Sequence, residues 1–147
     1  MLNYLFLYRR VYIWDAIFTV LGWLIPAVEW KHMNWGYAAL NENGHSIELR
    51  PEDENERFPI QYAHFVGTCN LFHPLRGETN HLIGLGTLNN LEGKTLLEVS
   101  SGRGGALSYY SRYLNPHKCI GVDLSEAQVE LCNKTYAHDR KLVFYHV

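Results

Sequence analysis

Two acids flank a glycine-rich stretch whose spacing is suited to ligand binding. In "LLEVSSGRGG", Glu98 stands directly ahead of a turn that contains Ser100, Gly102 and Gly104. A second acid, Asp123, follows 19 residues after Gly104. Glycines let a backbone approach a ligand closely, a carboxylate attracts a nearby cation, and a second carboxylate can accept both hydroxyls of a ribose. The pattern therefore predicts a site for a ribose-containing ligand that carries positive charge.

Two classes of ligand fit this spacing. A nicotinamide or flavin dinucleotide fits Ser100-x-Gly102-x-x-Gly105, a glycine pattern with serine in first place. S-adenosylmethionine fits the pattern acid-x-GxGxG, read from Glu98 with the same serine substitution. A dinucleotide places its pyrophosphate at the turn, where Glu98 opposes it, whereas the sulfonium and ammonium of S-adenosylmethionine are attracted. Charge therefore favours S-adenosylmethionine, with the dinucleotide as the alternative and a purely structural turn as the third interpretation.

The elements that position these residues alternate between strand and helix from residue 94 onward. Apolar and β-branched runs predict strands over 95–100, 118–124 and 141–147, and helices are predicted over 104–114 and 126–138. The near-continuous apolar character of the first strand predicts cover on both faces. This order predicts a parallel sheet with right-handed crossovers. Since ligands bind at the carboxyl ends of such strands, the glycine turn and Asp123 are expected side by side. Ser125 and Gln128 have the spacing of a capping box at the second helix.

The segment before this alternation is apolar over residues 1–40 and is expected to be helical. Residues 11–28 are mostly apolar but contain Asp15 and Pro26. A charged residue near the centre of a bilayer costs about 2.5–3.5 kcal/mol, which weakens a membrane-spanning interpretation. A helix that lies on a membrane or covers a cleft as a lid is the favoured alternative, and a plain core helix is the third. Membrane association through residues 4–30 is thus an expectation.

A polar segment, residues 41–58, is predicted to link this part to the rest, residues 59–147. Its acidic cluster is expected to be a solvated loop; it consists of Glu52, Asp53, Glu54 and Glu56. A helix is predicted from Pro59 to Phe72, because proline suits a first helical turn.

Composition limits the remaining function classes. With 147 residues and a net charge of −2, the chain has the size of one domain and no basic field for nucleic acid. Three cysteines without a CxxC pair favour a reducing, cytoplasmic setting. His64, Cys69 and His73 lack a fourth ligand for a closed zinc site, so no metal is expected. The oligomeric state is not indicated.

The stretch from "LLEVSSGRGG" through "GVDLS" resembles the cofactor half of class I S-adenosylmethionine-dependent methyltransferases, of the methyltransferase type 11 kind. It is similar in particular to the phthiotriolone/phenolphthiotriolone dimycocerosate methyltransferase group, and "MNWGYA" and "IQYAHFV" resemble the aromatic helices that precede the fold there. The resemblance implies an α/β, Rossmann-like fold, S-adenosylmethionine as cofactor, and a lipid-like or small-molecule acceptor.

Matched position by position, the resemblance assigns each site residue a role. Glu98, Gly102 and Gly104 would line the methionine end, Asp123 would bind the ribose, and Leu124 would pack by the adenine. Two further residues of the turn, Ser100 and Arg103, are also expected at the cofactor. Ser100 departs from the usual glycine, but a serine still permits the turn.

The family's sheet has seven strands ordered 3-2-1-4-5-7-6, and this chain is expected to supply only the first three, preceded by N-terminal helices. The acid that contacts the adenine amino group there usually follows the third strand, close to where Val147 stands. No catalytic base is assigned, and weak or no binding of S-adenosylhomocysteine is expected from these 147 residues alone. A non-catalytic, membrane-associated truncated fragment is therefore the alternative function.

Overall fold

The computed structural model describes residues 12–21, 24–25, 30–34, 36–37, 47–68 and 90–147. Eight helices and strands lie in these ranges, in the order α1 (12–21), a 3-10 helix (Pro51–Glu56), α2 (Arg57–Gly67), β1 (Thr95–Val99), α3 (Gly105–Tyr113), β2 (Lys118–Asp123), α4 (Glu126–Thr135) and β3 (Leu142–His146).

The three strands form a parallel sheet in the order β1-β2-β3. In its register, Glu98 of β1 lies opposite Gly121 of β2, which lies opposite Phe144 of β3. Each strand is followed by, or preceded by, a helix that packs on the sheet, so the predicted β-α-β-α-β order is confirmed. The fold is the first part of a Rossmann-like α/β sheet, as the resemblance implied.

Helices α3 and α4 cover one face of this sheet, and α2 packs outside α3. Alternate strand residues point to that face and join the core with the helices. The most buried side chains there are Ile60, Leu107, Tyr109, Cys119, Cys132 and Phe144. The hydroxyl of Tyr110 donates to the carbonyl of Ala63 at 2.8 Å, which ties α3 to α2. The core thus lies directly beneath the face that carries Glu98.

The opposite face of the sheet is open in the part of the chain that the structure describes. Leu97 is 64% exposed and Val99 is 72% exposed, with Tyr145 of β3 on the same face. The expectation that β1 is covered on both faces is therefore wrong for the described residues. The physical reason is that α3 and α4 both pack on the face opposite to these side chains.

The described part of the predicted polar linker is not a solvated loop. Residues 51–56 form the 3-10 helix, and Asp53 is only 2% exposed. Its carboxylate accepts hydrogen bonds from Arg112 and from the hydroxyl of Tyr113. Burial alone would raise the pKa of Asp53, but these donors outweigh burial and lower it. Asp53 therefore anchors this segment to α3, which corrects the expectation for the acidic cluster.

Helix α2 is shorter than predicted. It starts at Arg57 and ends at Gly67, where the hydroxyl of Thr68 donates to the carbonyl of His64 at 2.7 Å. Residues 69–72, the predicted last turn, lie outside the described residues.

Helix α1 turns most of its apolar side chains outward. Five large ones are exposed, namely Tyr12, Ile13, Trp14, Ile17 and Val20. Asp15 and Phe18 are more buried and face the rest of the protein. Within the described residues, no helix combines the length and the apolar character that a membrane crossing requires.

Candidate functional site

The glycine turn connects β1 to α3 through a series of left-handed residues. Ser100, Gly102 and Gly104 have φ values of 60°, 51° and 73°. A Cβ atom on Gly104 would lie 2.7 Å from the ring of Phe144, so only glycine fits there. Ser100 adopts a conformation that L-residues disfavour by roughly 1–2 kcal/mol, a cost that glycine at this position would avoid.

Asp123 fixes the turn from the neighbouring strand. One carboxylate oxygen accepts the amide of Gly102 at 2.7 Å, and the other accepts the amide of Ser125 at 3.0 Å. The end of β2 therefore lies against the turn, as predicted from the parallel order. Each carboxylate oxygen can accept more than one hydrogen bond, so Asp123 retains capacity for hydroxyl donors.

Glu98 is a buried carboxylate without a hydrogen-bond partner at Oε2 among the described residues. Burial, and then the negative charge of Asp123, raise its pKa from 4.5 to about 7. The folded protein therefore disfavours the ionised form until a cation arrives. A cationic group beside Glu98 would regain the lost solvation and lower that pKa again.

Two cavities meet at the turn. The smaller, about 190 Å³, is lined by Glu98 and Ser101, and the larger, about 570 Å³, by Asp123 and Leu124. Three residues line both cavities, namely Met33, Ser100 and Gly102. The sulfur of Met33 packs on Gly102 at this junction, 2.6 Å from where a Cβ atom of Gly102 would stand, so an extended ligand reaches from Glu98 to Asp123 only when Met33 shifts.

The smaller cavity has polar walls. Besides Glu98, Ser101 Oγ and His32 Nδ1 are buried without a hydrogen-bond partner in the described ranges. Burial lowers the pKa of His32, even though a carboxylate oxygen of Glu56 lies 3.2 Å from its Nε2. The cavity thus offers a carboxyl group, a hydroxyl group and an uncharged imidazole to a ligand.

The larger cavity is mainly apolar. Trp14 and Phe18 of α1 stack on each other with centroids 5.9 Å apart, and both line it opposite Leu124. The sequence pattern did not identify these aromatic residues as site residues. The signal that was available is Asp15, an acid in an otherwise apolar helix, which lines the same cavity.

Arg103 lines neither cavity. Its guanidinium donates to the carbonyls of Leu21, Ile25 and Trp30, and it stacks 4.7 Å from the Trp30 ring. Two of the seven predicted site residues thus lie away from the cavities, since Arg103 holds Leu21, Ile25 and Trp30 and Gly104 packs against Phe144. The other five line the cavities, namely Glu98, Ser100, Gly102, Asp123 and Leu124.

The predicted capping box at α4 is also wrong. Ser125 is the N-cap residue, but its side chain makes no capping hydrogen bond. Gln128 instead donates from Nε2 to the carbonyl of Phe18 at 2.7 Å. Gln128, whose spacing from Ser125 fits a capping box, therefore contacts α1 instead of capping its own helix.

Of the three residues near one another in sequence that could bind zinc, only His64 lies in the described ranges. His64 Nδ1 lies 2.7 Å from the hydroxyl of Tyr109, while Cys69 and His73 lie outside those ranges. No group of three or more potential metal ligands occurs in the described residues.

Similarity to known proteins is concentrated in mycobacterial methyltransferases. The phthiotriol/phenolphthiotriol dimycocerosates methyltransferase of Mycobacterium leprae is 32% identical over 130 residues, and its counterpart in Mycobacterium tuberculosis is 41% identical over 129. Each alignment covers 88% of this chain but 40% and 39% of the relative. The chain thus spans about two fifths of their length. A fatty-acid O-methyltransferase of Mycolicibacterium smegmatis is 29% identical over 104 residues, 71% of this chain and 30% of the relative.

No protein-family model matches the chain. Among solved structures, the YcgJ protein of Bacillus subtilis is 21% identical, with 41% of this chain and 26% of that chain covered at a TM-score of 0.37. The CurJ carbon methyltransferase is 27% identical, with 39% and 16% covered at a TM-score of 0.34. The fold is assigned from the order and register of the three strands, because TM-scores below 0.5 do not establish it.

Proposed function

We propose that the chain is part of an S-adenosylmethionine-dependent methyltransferase, whose glycine turn binds S-adenosylmethionine for methyl transfer to a lipid-like acceptor. Relatives of 32% and 41% identity that are named methyltransferases support this proposal. The observation that carries it is Glu98, a buried carboxylate with an unpartnered oxygen in a cavity that shares three lining residues with that of Asp123. A buried acid of this kind is costly unless a cation compensates it.

The two cavities divide the ligand between them. The smaller one, with Glu98 and Ser101, suits the amino-acid end, whose ammonium and sulfonium are positively charged. The larger one, with Asp123 and Leu124, suits the ribose and the adenine. Gly102 lies between them, and the sulfur of Met33 packs on it where a Cβ atom would stand, so a ligand that spans both cavities requires Met33 to shift. Two of the predicted cofactor residues, Arg103 and Gly104, line neither cavity.

When bound, the cofactor supplies a methyl group on a positively charged sulfur, which becomes neutral on transfer. The protein's contribution in the described residues is positioning and electrostatics. Glu98 holds a negative charge near the amino-acid end, and Asp123 fixes both the turn and the ribose end. No residue of the described ranges is assigned as a catalytic base.

The acceptor is proposed to be lipid-like for two reasons. The relatives at 29–41% identity are named for dimycocerosates and for a fatty acid. Independently, α1 lies at the larger cavity and presents apolar side chains outward. Contact of this outer face with lipid, including a membrane surface, is the finer part of the proposal.

The alternative is dinucleotide binding, and one titration separates the two. Calorimetry of the protein with S-adenosylhomocysteine and, in parallel, with NADH measures both affinities. We expect saturable binding of S-adenosylhomocysteine and none of NADH, because the ammonium of the first compound compensates the buried carboxylate of Glu98, whereas a pyrophosphate brings further negative charge beside it. The sequence alone predicts weak or no binding of S-adenosylhomocysteine. Because α1 supplies a wall to the larger cavity, we expect this compound to bind. Binding of NADH alone, or of neither compound, would contradict the proposal.

A further inference from the structure

The junction of the two cavities is occupied by a side chain of the protein itself. Gly102 has no Cβ atom, and the sulfur of Met33 lies 2.6 Å from the point where that atom would stand. The same side chain lines both cavities. The notch at Gly102, through which a ligand would approach the backbone of the turn, therefore contains a thioether.

The backbone just before Met33 is held in place. The ammonium of Lys31 lies 3.2 Å from one carboxylate oxygen of Glu56. His32, which is buried, places Nε2 3.2 Å from the other oxygen. The carbonyl of Lys31 packs against Gly105, where a Cβ atom would not fit. Because a movement of this segment would break these contacts, the simplest way for Met33 to leave the notch is rotation of its side chain.

The side chain of Met33 is able to make that rotation. It is 39% exposed, and methionine is unbranched with three rotatable bonds. Exposed side chains change rotamer within nanoseconds. The sulfur is only a weak hydrogen-bond acceptor, so its transfer to solvent leaves no strong polar group without a partner. Met33 can therefore open and close the notch while the backbone stays where it is.

The group in the notch also matches the ligand that it excludes. A methionine side chain consists of two methylenes followed by a thioether sulfur, and the homocysteine part of S-adenosylhomocysteine has the same atoms in the same order. In the proposed function this sulfur joins the amino-acid end beside Glu98 to the ribose beside Asp123, and Gly102 lines both of their cavities. The notch at Gly102 is thus filled by the chemical group that the ligand would place there.

We propose that Met33 is an internal plug, which holds its own thioether at Gly102 and is displaced by the thioether of the cofactor. This inference rests on the proposed function and adds an autoinhibitory contact to it. The apparent affinity of a site is reduced by the fraction of molecules in which the competent form is populated. The plug therefore weakens cofactor binding relative to a protein whose notch is open.

The test removes the plug and measures the affinity for S-adenosylhomocysteine by calorimetry. We expect Met33→Ala to bind this compound at least about threefold more tightly than the unmodified protein, because no side chain has to be displaced. Met33→Leu is the matched control, since it keeps about the same volume, and its affinity should stay within about twofold of the unmodified protein.

A second measurement uses the unmodified protein and does not depend on the folding of a variant. The chain has two methionines, so a methyl-labelled sample gives two signals by NMR, and loss of one in Met33→Leu identifies Met33. On saturation with S-adenosylhomocysteine we expect the Met33 signal to move toward its position in the urea-unfolded protein, because the displaced side chain then lies in solvent.

The outcomes separate the plug from the proposed function. If S-adenosylhomocysteine binds, but Met33→Ala binds it no more tightly or the Met33 signal stays in place at saturation, the plug is wrong and the function stands. An equal gain in Met33→Leu and Met33→Ala would also contradict the plug, since leucine still fills the notch. If neither the unmodified protein nor Met33→Ala binds the compound, the proposed function itself fails.

Discussion

At the scale of single residues, burial of the Glu98 carboxylate destabilises the folded protein, and the same carboxylate is proposed to bind the cofactor. Burial raises its pKa to about 7 from 4.5. Between these two pH values the folded protein binds a proton that the unfolded chain releases. The contribution of Glu98 to stability therefore declines as pH rises from about 4.5 through about 7. A shift of the pKa from 4.5 to about 7 corresponds to about 3 kcal/mol of folding stability at most.

The variant Glu98→Gln should separate the effect of Glu98 on stability from its effect on binding. The variant keeps the shape but removes the charge, so at pH 8 we expect the free energy of unfolding to rise by about 1–3 kcal/mol. Below about pH 4.5 the gain should disappear, because Glu98 is then neutral in both states. Urea denaturation at the two pH values measures the difference.

The same variant should bind S-adenosylhomocysteine more weakly, because the cation at the amino-acid end loses its counter-charge, and NADH no worse than before. Glu130→Gln, a change at an exposed acid in the middle of α4, is the control and should alter stability and affinity little. An equal gain in stability at both pH values would show that burial of the charge is not the cause.

At the scale of elements, sequence periodicity predicted the sheet closely. The observed β1, β2 and β3 each fall within one residue, at either end, of the predicted strands, because short apolar runs between turns depend on local sequence. Helix α4 ends at Thr135, three residues before the predicted end at His138. The chain turns there, since the amide of Asp139 donates to the carbonyl of Tyr136 at 2.9 Å.

Long-range contacts were not predictable from the sequence. The turn itself and its neighbour Asp123 follow from the parallel order, and both lie where expected. The position of α1 against the turn depends on Arg103 and Gln128, whose partners are 73–110 residues away in the chain. The resemblance implied a cofactor role for Arg103, and spacing indicated a capping role for Gln128. Both were wrong for the described residues, because local patterns carry no information about a distant helix.

Arg103→Met should loosen α1 without disturbing the sheet. The variant keeps an unbranched apolar stem but removes the guanidinium and its donors to three backbone carbonyls. Hydrogen bonds to charged groups contribute about 1.5–3 kcal/mol each, so we expect amide hydrogen exchange in residues 12–21 to accelerate at least about tenfold. Exchange in β2 should not change.

Mass spectrometry of the exchanged protein measures this effect by segment. Arg140→Met removes an exposed guanidinium and serves as the matched control. Unchanged exchange in residues 12–21 of Arg103→Met would mean that other contacts hold the helix in place.

At the scale of the whole molecule, three apolar surfaces face outward in the described residues. One is the outer face of α1, with Ile13 58% and Ile17 39% exposed. Another is the open face of the sheet, with Leu97 and Val99. The third is a stripe on α2, which consists of Phe58, Tyr62 and Val66. Exposed apolar patches commonly mark interaction sites, and the α1 face adjoins the larger, mainly apolar cavity, whereas the α2 stripe adjoins the smaller, polar one. The proposed lipid contact is therefore assigned to α1, and the sheet face is the surface to compare it with.

Binding to phospholipid vesicles distinguishes the two surfaces. We expect the protein to sediment with vesicles, and Ile13→Gln with Ile17→Gln to reduce the bound fraction at least about threefold, since each buried isoleucine contributes about 1.5–3 kcal/mol. Leu97→Gln with Val99→Gln is the matched control, because it removes similar apolar area from the sheet face. A loss of binding in the control pair but not in the α1 pair would contradict a role for α1.

The hydrogen bond from Gln128 to the carbonyl of Phe18 joins residues 110 positions apart, and that separation has a consequence for biosynthesis. Chains are synthesised at roughly 5–20 residues per second, so residues 12–21 wait roughly 5–20 seconds on the ribosome before Gln128 exists. During this interval their apolar side chains are open to chaperones and to lipid surfaces. Docking also closes a long loop, which is slow in folding. The adenine end of the proposed site is therefore completed late, by a segment made well before the residues that hold it.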